Sequence, residues 1–280
     1  MQIVKSVAEM QSISCKLRTQ GVVLGFVPTM GALHKGHLSL VQRATAECET
    51  VVASIFVNPL QFGPTEDFAK YPRTFEEDSR QLELEGVSVL FAPEAGDMYP
   101  EGAVTTITVP GVGDRLDGAS RPGHFTGVST VVAKLFHIVA PHHAYFGQKD
   151  AAQLAVLRQM VQDLNFDLEL VSCAIVRDAD GLALSSRNQY LSSTEREQAL
   201  VLHQALERIE HSVADGERLS STLLQIGKNT LDAAEGVQVD YLAIVDPRSL
   251  LPVAYAEKGA LVAVAAYVGR TRLIDNFLVN

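Results

Sequence analysis

The sequence is poor in cysteine, tryptophan and positive charge. Its 280 residues include three cysteines, Cys15, Cys48 and Cys173, and no tryptophan. The cysteines are odd in number, widely separated and without a C-x-x-C pair, so neither disulfides nor a structural zinc site are expected. Because 33 acidic residues outweigh 23 basic ones, the formal net charge is −10. Nucleic acid and anionic membranes are therefore not expected as partners.

Long apolar runs are also missing. No run reaches the ~18 residues of a membrane span, and the opening residues MQIVKSVAEMQS do not have the layout of a secretory signal. We therefore expect a cytoplasmic protein. Hydrophobic residues still make up 47% of the chain, which is ample for a core. The length predicts one large domain or two modest ones.

The stretch 22–44, VVLGFVPTMGALHKGHLSLVQRA, predicts a strand, a turn and a helix. The apolar run 22–27 indicates a strand buried on both faces. The block LSLVQRA has helical spacing, so the segment 30–37 should lie where the helix begins. Unpaired N–H groups and the positive end of the dipole make a helix N-terminus suited to anions such as phosphate.

His34, Gly36 and His37 form an H-x-G-H pattern in this segment. The pattern resembles the signature of the nucleotidylyltransferase superfamily, which includes the class I aminoacyl-tRNA synthetases. Imidazoles can donate to phosphate oxygens and stabilise charge that moves onto departing pyrophosphate, and glycine allows close backbone approach. Two other interpretations stay open at this point: helix-face histidines without a role, and a transition-metal pair.

The remaining apolar runs define the predicted fold. Those that alternate with helical patterns cover 50–57, 87–92, 144–146 and 168–176, and a further extended strand is predicted over 105–109. Strands that alternate with helices indicate an α/β fold: a Rossmann-like parallel sheet with helices on both faces. After residue 176, two charged helices, over about 194–214 and 217–234, and three strands, over 237–245, 260–268 and 271–278, predict a smaller C-terminal α+β domain. We therefore expect domains 1–176 and 177–280, the second covering the nucleotide site.

Polar side chains follow the predicted strands, at the sheet edge where ligands bind. Gln61 can both donate and accept hydrogen bonds, although it also fits an ordinary turn. Lys149 can offset phosphate charge, and Gln153 lies one helical turn further on, on the same side. Asp150 either belongs to this site or caps the next helix.

Further candidates lie in loops. Ser185, Ser186 and Arg187 offer two hydroxyls and a guanidinium, a compact phosphate clamp. A glycine-rich stretch carries Arg115, Arg121 and His124, which suit phosphate binding, a subunit contact or a solvated surface. The polar segment 65–74 is expected to close over the site.

Five segments together resemble the pantoate–β-alanine ligase family. They are PTMGALHKGH, SIFVNPLQFGPTEDFAKYPRT, RPGHFTGV, YFGQKDAAQ and ALSSRNQYL, in the family's order and spacing. The resemblance covers nearly the whole chain and implies a Rossmann-like domain with a smaller C-terminal domain, in a cytoplasmic homodimer. It implies ATP-dependent condensation of (R)-pantoate with β-alanine through a pantoyl adenylate, which gives pantothenate, AMP and pyrophosphate.

The resemblance also implies site residues. ATP would contact Met30, Gly31, Ala32, Leu33, His34, Lys35, Gly36, His37, Gly147, Gln148, Lys149, Asp150, Val176, Leu184, Ser185, Ser186 and Arg187. The expected catalytic groups are His34, His37, Lys149, Ser185, Ser186 and Arg187.

Individual roles follow from the same resemblance. His37 is the family's proton donor and His34 a phosphate partner, although stabilisation of charge is the role we favour for both. Gln61 would bind pantoate and β-alanine, and Gln153 would bind pantoate. Mg²⁺ should accompany ATP, with Asp150 as a candidate ligand. The segment 184–187 resembles in role the mobile KMSKS loop of class I synthetases.

Three rival functions remain at this stage. A nucleotidyltransferase that leaves the nucleotide on its product would need a phosphate-bearing acceptor, but the first cation after Gln61 is Lys70. A nucleotide sensor without catalysis would not need all of the cationic and imidazole groups above. A metalloprotein would use His34 and His37 together with His142 and His143.

Overall fold

The computed structural model describes residues 1–63 and 68–280. The loop predicted over 65–74 therefore lies partly outside the described residues, and its described part contains a 3-10 turn at Phe68–Lys70. Within the described ranges, no helix is both long enough and apolar enough to cross a membrane.

Strands and helices alternate as far as residue 173, and a helical stretch then precedes three strands. The strands are β1 (Gln2–Val4), β2 (Leu24–Thr29), β3 (Thr50–Ile55), β4 (Val89–Phe91), β5 (His143–Gly147), β6 (Glu169–Cys173), β7 (Val237–Val245), β8 (Leu261–Val268) and β9 (Thr271–Leu278). The helices are α1 (Val7–Thr19), α2 (Lys35–Glu47), α3 (Phe75–Leu84), α4 (Ala95–Met98), α5 (Asp117–Ser120), α6 (His124–Val139), α7 (Ala151–Asp163), α8 (Ser193–Gln198), α9 (Leu200–Ala214) and α10 (Ser220–Asp232).

Strands β1 to β6 form one parallel sheet in the order β1-β4-β3-β2-β5-β6. Strand β2 lies in the middle, between β3 and β5. Helix α2, which follows β2, packs on one face of the sheet, and α7, which follows β5, packs on the other. The chain thus leaves these neighbouring strands in opposite directions, which opens a crevice beyond their carboxyl ends.

The central strands are buried on both faces. Phe26 of β2 packs with α1, α6 and α7, whereas the next residue, Val27, packs with α2 and α3. On β5, Ala144 and Phe146 lie on the side of Phe26, and Tyr145 lies on the side of Val27. This double burial explains why these strands read as continuous apolar runs in the sequence.

Strands β7, β8 and β9 form a separate antiparallel sheet. On β8, Val262 and Val264 pack with α9 and α10, whereas Leu261 and Ala263 join the apolar cluster of the large sheet. The small sheet therefore contacts helices on one face and the large parallel layer on the other. The predicted fold class, a parallel α/β sheet with a smaller α+β unit, is confirmed.

Two strand predictions need correction. Strand β1 is not predicted from the sequence, because three residues are too few to show a period; it pairs with β4 at the edge of the sheet. The strand predicted over 105–109 is not formed within the chain, since this segment forms no ladder with any strand of the described ranges. The backbone N–H of Ile107 instead donates to the hydroxyl of Thr130 on α6, at 2.9 Å.

Candidate active site

The loops after β2 and β5 meet at the crevice of the parallel sheet. The first loop and the start of α2 contain the H-x-G-H segment 30–37, and the second forms a 3-10 turn at Gln148–Asp150. Because β2 and β5 are hydrogen-bonded neighbours, the fold itself brings the histidines and Lys149 together. The sequence analysis predicts both segments for this edge.

Backbone N–H groups at the start of α2 orient the rings of His34 and His37. His34 is the N-cap of α2, and its Nδ1 accepts from the backbone N–H of Gly36 at 3.1 Å. His37 Nδ1 accepts from the backbone N–H of His34 at 3.3 Å, and the ring centroids are 4.0 Å apart. Because both Nδ1 atoms are acceptors, each neutral ring carries its proton on Nε2 and presents one N–H donor.

The surroundings of the two rings favour the neutral form. Burial and, to a smaller extent, the Lys149 ammonium lower the pKa of His34 to about 4. Burial, His34 and Lys149 lower the pKa of His37 to about 3. At neutral pH both imidazoles are therefore uncharged hydrogen-bond donors, and the positive charge of the site resides on other groups.

Gly36 makes room for a side chain of the protein itself. A Cβ at this position would lie 2.8 Å from Cε1 and 2.9 Å from Nδ1 of the His34 ring. The glycine therefore makes room for the imidazole that folds back over the start of α2, and its close approach is to the protein itself. The predicted approach of its backbone to a ligand is not needed to explain it.

The backbone donors of this loop are largely engaged within the protein. The N–H of Gly31 donates to Thr29 Oγ1 at 3.1 Å, and those of Ala32 and Leu33 donate to the Asp78 carboxylate, both at 2.9 Å. The N–H of His34 and that of Gly36 are bound by the histidine rings. Most backbone N–H groups of the segment are thus not available to an anion, and its side chains are the main donors.

Lys149 is held by a contact from the small sheet. The Asn276 amide on β9 donates to the carbonyls of Gln148 and Lys149, at 3.1 and 2.9 Å. The Gln148 amide returns a hydrogen bond to Asn276 Oδ1 at 3.1 Å and accepts one from Ser172 at 3.0 Å. Asp150 occupies the N-cap position of α7 without a side-chain cap bond, so the capping role considered for it is not observed. Its Oδ1 lies 3.8 Å from Lys149 Nζ.

The predicted phosphate clamp follows a short bridged turn. Arg177 pairs with Ala183, and the N–H of Leu184 donates to the carbonyl of Val176 at 2.9 Å. Ser185 then caps a 3-10 turn by accepting from the N–H of Arg187 at 3.3 Å. A hydrogen bond of 3.3 Å joins the hydroxyls of Tyr71 and Ser186, so the segment after residue 68 also contacts the clamp.

Two cavities meet at these groups. The smaller, of about 160 Å³, is lined by Met30, His34, Gly36, His37, Leu40, Tyr71, Gly147, Lys149, Asp150, Ala174, Ile175, Val176, Leu184, Ser185, Ser186 and Arg187. The larger, of about 950 Å³, shares Lys149, Asp150, Ser185 and Arg187 with it. Gln153, Arg121 and His124 line the larger cavity. The structure thus brings most of the predicted site residues to one continuous cleft.

Gln61 contacts Met30, which lines the smaller cavity. Its Nε2 is 3.0 Å from Met30 Sδ, and its Oε1 accepts from the buried Asn58 amide at 3.1 Å. Its carbonyl contacts His124 Nδ1 at 2.8 Å. The close approach of α6 depends on Gly127, where a Cβ would lie 2.2 Å from the carbonyl oxygen of Leu60.

Three contributing residues escape the sequence analysis. Asp78 binds the backbone before His34, Tyr71 contacts Ser186, and Asn276 holds the carbonyl of Lys149. For Asp78 a signal exists: a carboxylate shares the face of α3 that buries Leu82. For Asn276 the signal is a buried polar residue next to the equally buried Asp275, which interrupts the alternation of β9. Tyr71 has no such signal.

The parallel sheet, its crevice and the imidazole, ammonium and guanidinium groups gathered there define a nucleotide-binding α/β enzyme of the H-x-G-H type. Comparison with known proteins then gives the family. The chain belongs to the pantoate–β-alanine ligase family, whose model matches residues 2–278.

Individual relatives agree along the full chain. A pantothenate synthetase from Acidobacterium capsulatum is 62% identical over 257 residues, which cover 92% of this chain and 86% of that protein. The crystal structure of pantothenate synthetase from Thermus thermophilus is 48% identical, with a TM-score of 0.93 over 99% of both chains. The pantoate–β-alanine ligase from Francisella tularensis, solved with beta-gamma ATP and beta-alanine, is 36% identical, with a TM-score of 0.82 over 99% of this chain and 97% of that one.

Proposed function

We propose that the chain joins (R)-pantoate to β-alanine in two steps, with consumption of ATP. First, an oxygen of the pantoate carboxylate attacks the α-phosphorus of ATP, and the bond to pyrophosphate breaks. The amine of β-alanine then attacks the carbonyl carbon of the pantoyl adenylate and loses a proton, while AMP leaves with the carboxylate oxygen. The products are pantothenate, AMP and pyrophosphate, and no covalent bond to the protein is required.

One observation carries the proposal: two imidazole donors, an ammonium and a guanidinium line one cavity. His34 and His37 present Nε2–H groups, and Lys149 and Arg187 line the same cavity. During the first step negative charge moves onto pyrophosphate, so preorganised donors at its oxygens stabilise the transition state more than the ground state. Because both rings are neutral, we assign them hydrogen-bond donation rather than proton transfer.

The other residues of the smaller cavity form an apolar group and a hydroxyl group. Leu40, Ile175, Val176 and Leu184 offer apolar surface that suits adenine, and the hydroxyls of Ser185 and Ser186 suit the phosphates. We therefore assign the cavity-lining residues of segments 30–37, 147–150 and 184–187, with Val176, to ATP. Neither of the two cavities is lined by Gly31, Ala32, Leu33, Lys35 or Gln148, so their assignment to ATP rests on the family resemblance. The ATP-bound Francisella relative supports nucleotide binding at this fold.

Gln61 and Gln153 are assigned to the substrates other than ATP. Gln61 lies against Met30, and Gln153 lines the larger cavity that adjoins Lys149. An amide both donates and accepts, so it can bind the hydroxyls and carboxylate of pantoate. We propose that Gln61 binds pantoate and β-alanine and that Gln153 binds pantoate.

Mg²⁺ fits this site as a companion of ATP. No group of three or more His, Cys, Asp or Glu side chains suited to a metal is found in the described ranges. Mg²⁺ usually binds one or two carboxylates together with substrate phosphates, so it does not require such a group. Asp150 lines both cavities and has no cap bond, so it would hold the ion, which would neutralise phosphate charge.

We also propose that the chain is a homodimer through the segment 103–110. Ile107 and Val109 are partly buried, and the alternate residues Thr106 and Thr108 are exposed, which is the alternation of a strand. Val104 is 88% exposed. Because this segment forms no ladder with any strand of residues 1–63 or 68–280, it offers a template for pairing, and antiparallel pairing with its own copy satisfies twofold symmetry.

Two further assignments concern organisation. We propose a domain boundary near residue 176, because β6 ends at Cys173 and Leu182 already packs with α9 and α10. We propose a cytoplasmic location, since Cys15, Cys48 and Cys173 are all free thiols and free thiols suit a reducing compartment.

The test is exchange of labelled pyrophosphate into ATP, with pantoate present and β-alanine left out. Exchange that requires pantoate, followed by release of pantothenate and AMP when β-alanine is added, is the expected result. Exchange only with a phosphorylated acceptor would instead make the chain a nucleotidyltransferase. ATP binding without exchange for any acceptor would make it a sensor.

A further inference from the structure

A buried carboxylate lies directly behind the H-x-G-H segment. Asp78, in the first turn of α3, is only 2% exposed. Its two oxygens accept from the backbone N–H groups of Ala32 and Leu33, both at 2.9 Å. Its Oδ2 also accepts from the hydroxyl of Thr74 at 3.1 Å. A buried carboxylate is tolerated when hydrogen bonds of this kind satisfy its oxygens.

The backbone bound by Asp78 has an unfavourable conformation. Gly31 and Ala32 both have positive φ angles, 82° and 52°. Glycine adopts such angles readily, but alanine does so rarely because its Cβ crowds the backbone. The loop therefore needs an external partner to hold it, and the carboxylate supplies one through two successive N–H groups.

This loop leads directly into the histidine pair. Leu33, whose N–H is bound by Asp78, precedes His34, and the N–H of His34 is the donor that orients the His37 ring. A shift of the loop would thus move both Nε2–H groups. Tightly positioned donors lose much of their effect when they are displaced by a fraction of an ångström to one ångström.

We infer that Asp78 is a positioning residue: it holds the loop 31–34 so that His34 and His37 point into the nucleotide cavity. It does so without contact to substrate, through backbone N–H groups that would otherwise be free to bind an anion. Thr74 joins this arrangement, and Tyr71, three residues earlier, reaches Ser186 on the opposite wall. The inference rests on the proposed function, in which the two imidazoles act on phosphate.

The test uses Asp78→Asn, which keeps the shape but can accept from only one of the two N–H groups. We expect the kcat of pantoate-dependent pyrophosphate exchange to fall on the order of ten-fold or more, with the KM for pantoate nearly unchanged. Glu76→Gln removes an exposed carboxylate from the same turn and should exchange normally.

A double-mutant cycle separates positioning from mere stability. If Asp78 acts through the histidines, Asp78→Asn should cost little once His37→Ala is present, whereas independent effects would multiply. Multiplied losses, or unchanged kcat in Asp78→Asn, would overturn the inference. If Asp78→Asn does not fold, Thr74→Val is tested in its place. Slower exchange in Thr74→Val, with a loss that does not multiply with the loss caused by His37→Ala, supports the inference. Normal exchange in Thr74→Val overturns it. Wild-type protein without exchange would instead refute the proposed function.

Discussion

His34 and His37 are neutral donors because of what surrounds them. Each Nδ1 accepts a backbone N–H, which leaves the proton on Nε2, and burial keeps both pKa values well below that of a free imidazole. A neutral imidazole is a poor acid, but its N–H still stabilises a phosphate oxygen. The positive charge of the site therefore comes from Lys149 and Arg187, and the histidines contribute oriented hydrogen-bond donors.

Removal of an imidazole or of the Lys149 ammonium should slow adenylation. His37→Ala and Lys149→Ala are each expected to lower pantoate-dependent exchange by ~10²-fold or more, as for other preorganised donors. Exposed residues of the same types, His211 and Lys228, provide controls, since their alanine variants should be normal. Circular dichroism should show an unchanged fold. Normal exchange in His37→Ala or in Lys149→Ala would remove that residue from the mechanism.

The two histidines should also make stability depend on pH. Their pKa values are about 4 and about 3 in the folded chain, but about 6.5 when unfolded. Between these limits the unfolded state binds more protons, so the free energy of unfolding falls as pH is lowered from about 6.5 towards 4. Above about 6.5 the two groups should give no slope.

Urea unfolding followed by circular dichroism, at a series of pH values, measures this dependence. The double variant His34→Asn/His37→Asn should have a smaller slope than wild type in the acidic range, while His211→Asn should match wild type. Equal slopes for all three proteins would show that the histidines titrate alike in both states.

Among the structural elements, β9 has an unexpected role at the site. It belongs to the small sheet, yet Asn276 binds the 3-10 turn that carries Lys149. Asn276→Ala would leave two partly buried carbonyls without their donor, which should lower the free energy of unfolding by ~1–3 kcal/mol. Because the turn then loses its support, we also expect a several-fold higher KM for ATP.

Urea titrations and initial rates at varied ATP measure the two effects. The exposed Asn229 gives a control, since Asn229→Ala should change the KM for ATP little. A loss of stability in Asn276→Ala without any change in KM would mean that β9 supports the fold but not the position of Lys149.

Whether a strand can be predicted from the sequence depends on how its two faces are buried. Strands such as β2 and β5 are recognisable because both faces meet apolar layers, and β7 and β9 have the predicted bounds. The segment 105–109 has the alternation of a strand, but alternation reports burial and not the presence of a neighbour. Asp78 and Asn276 could not be assigned a function, because their partners are backbone groups remote in sequence.

In the whole molecule, the charge around the larger cavity differs in sign from the net charge of the chain. The chain carries a net charge of −10, yet the larger cavity is lined by Lys70, Arg121, Lys149, Arg187, Arg270 and Arg272. Part of this charge is structural, because Arg272 on β9 pairs with Asp117 at 2.6 Å and with Asp240 at 2.7 Å. Asp117, Asp150 and Glu195 line the same cavity, so among the described residues its six cationic side chains still outnumber the three acidic ones. This excess of positive charge favours the entry of a polyanion such as ATP.

The proposed dimer is tested at Thr106. The N–H of Ile107 points towards Thr130, so in an extended segment the N–H of Thr106 points the other way, towards a partner. Thr106→Pro removes that donor and should shift sedimentation velocity towards the monomer. Thr106→Val keeps the N–H and should remain dimeric. A wild-type monomer, or a dimer unaffected by Thr106→Pro, would contradict this interface.

The central claim is that pantoate is activated through its carboxylate oxygen as an adenylate. The most direct measurement uses pantoate labelled with ¹⁸O in the carboxylate, followed by mass spectrometry of the nucleotide product. The proposed sequence of steps predicts one labelled oxygen in AMP, since that oxygen bridges pantoate and phosphorus until the amide forms. Label in inorganic phosphate, together with ADP, would instead indicate an acyl phosphate and would contradict the account.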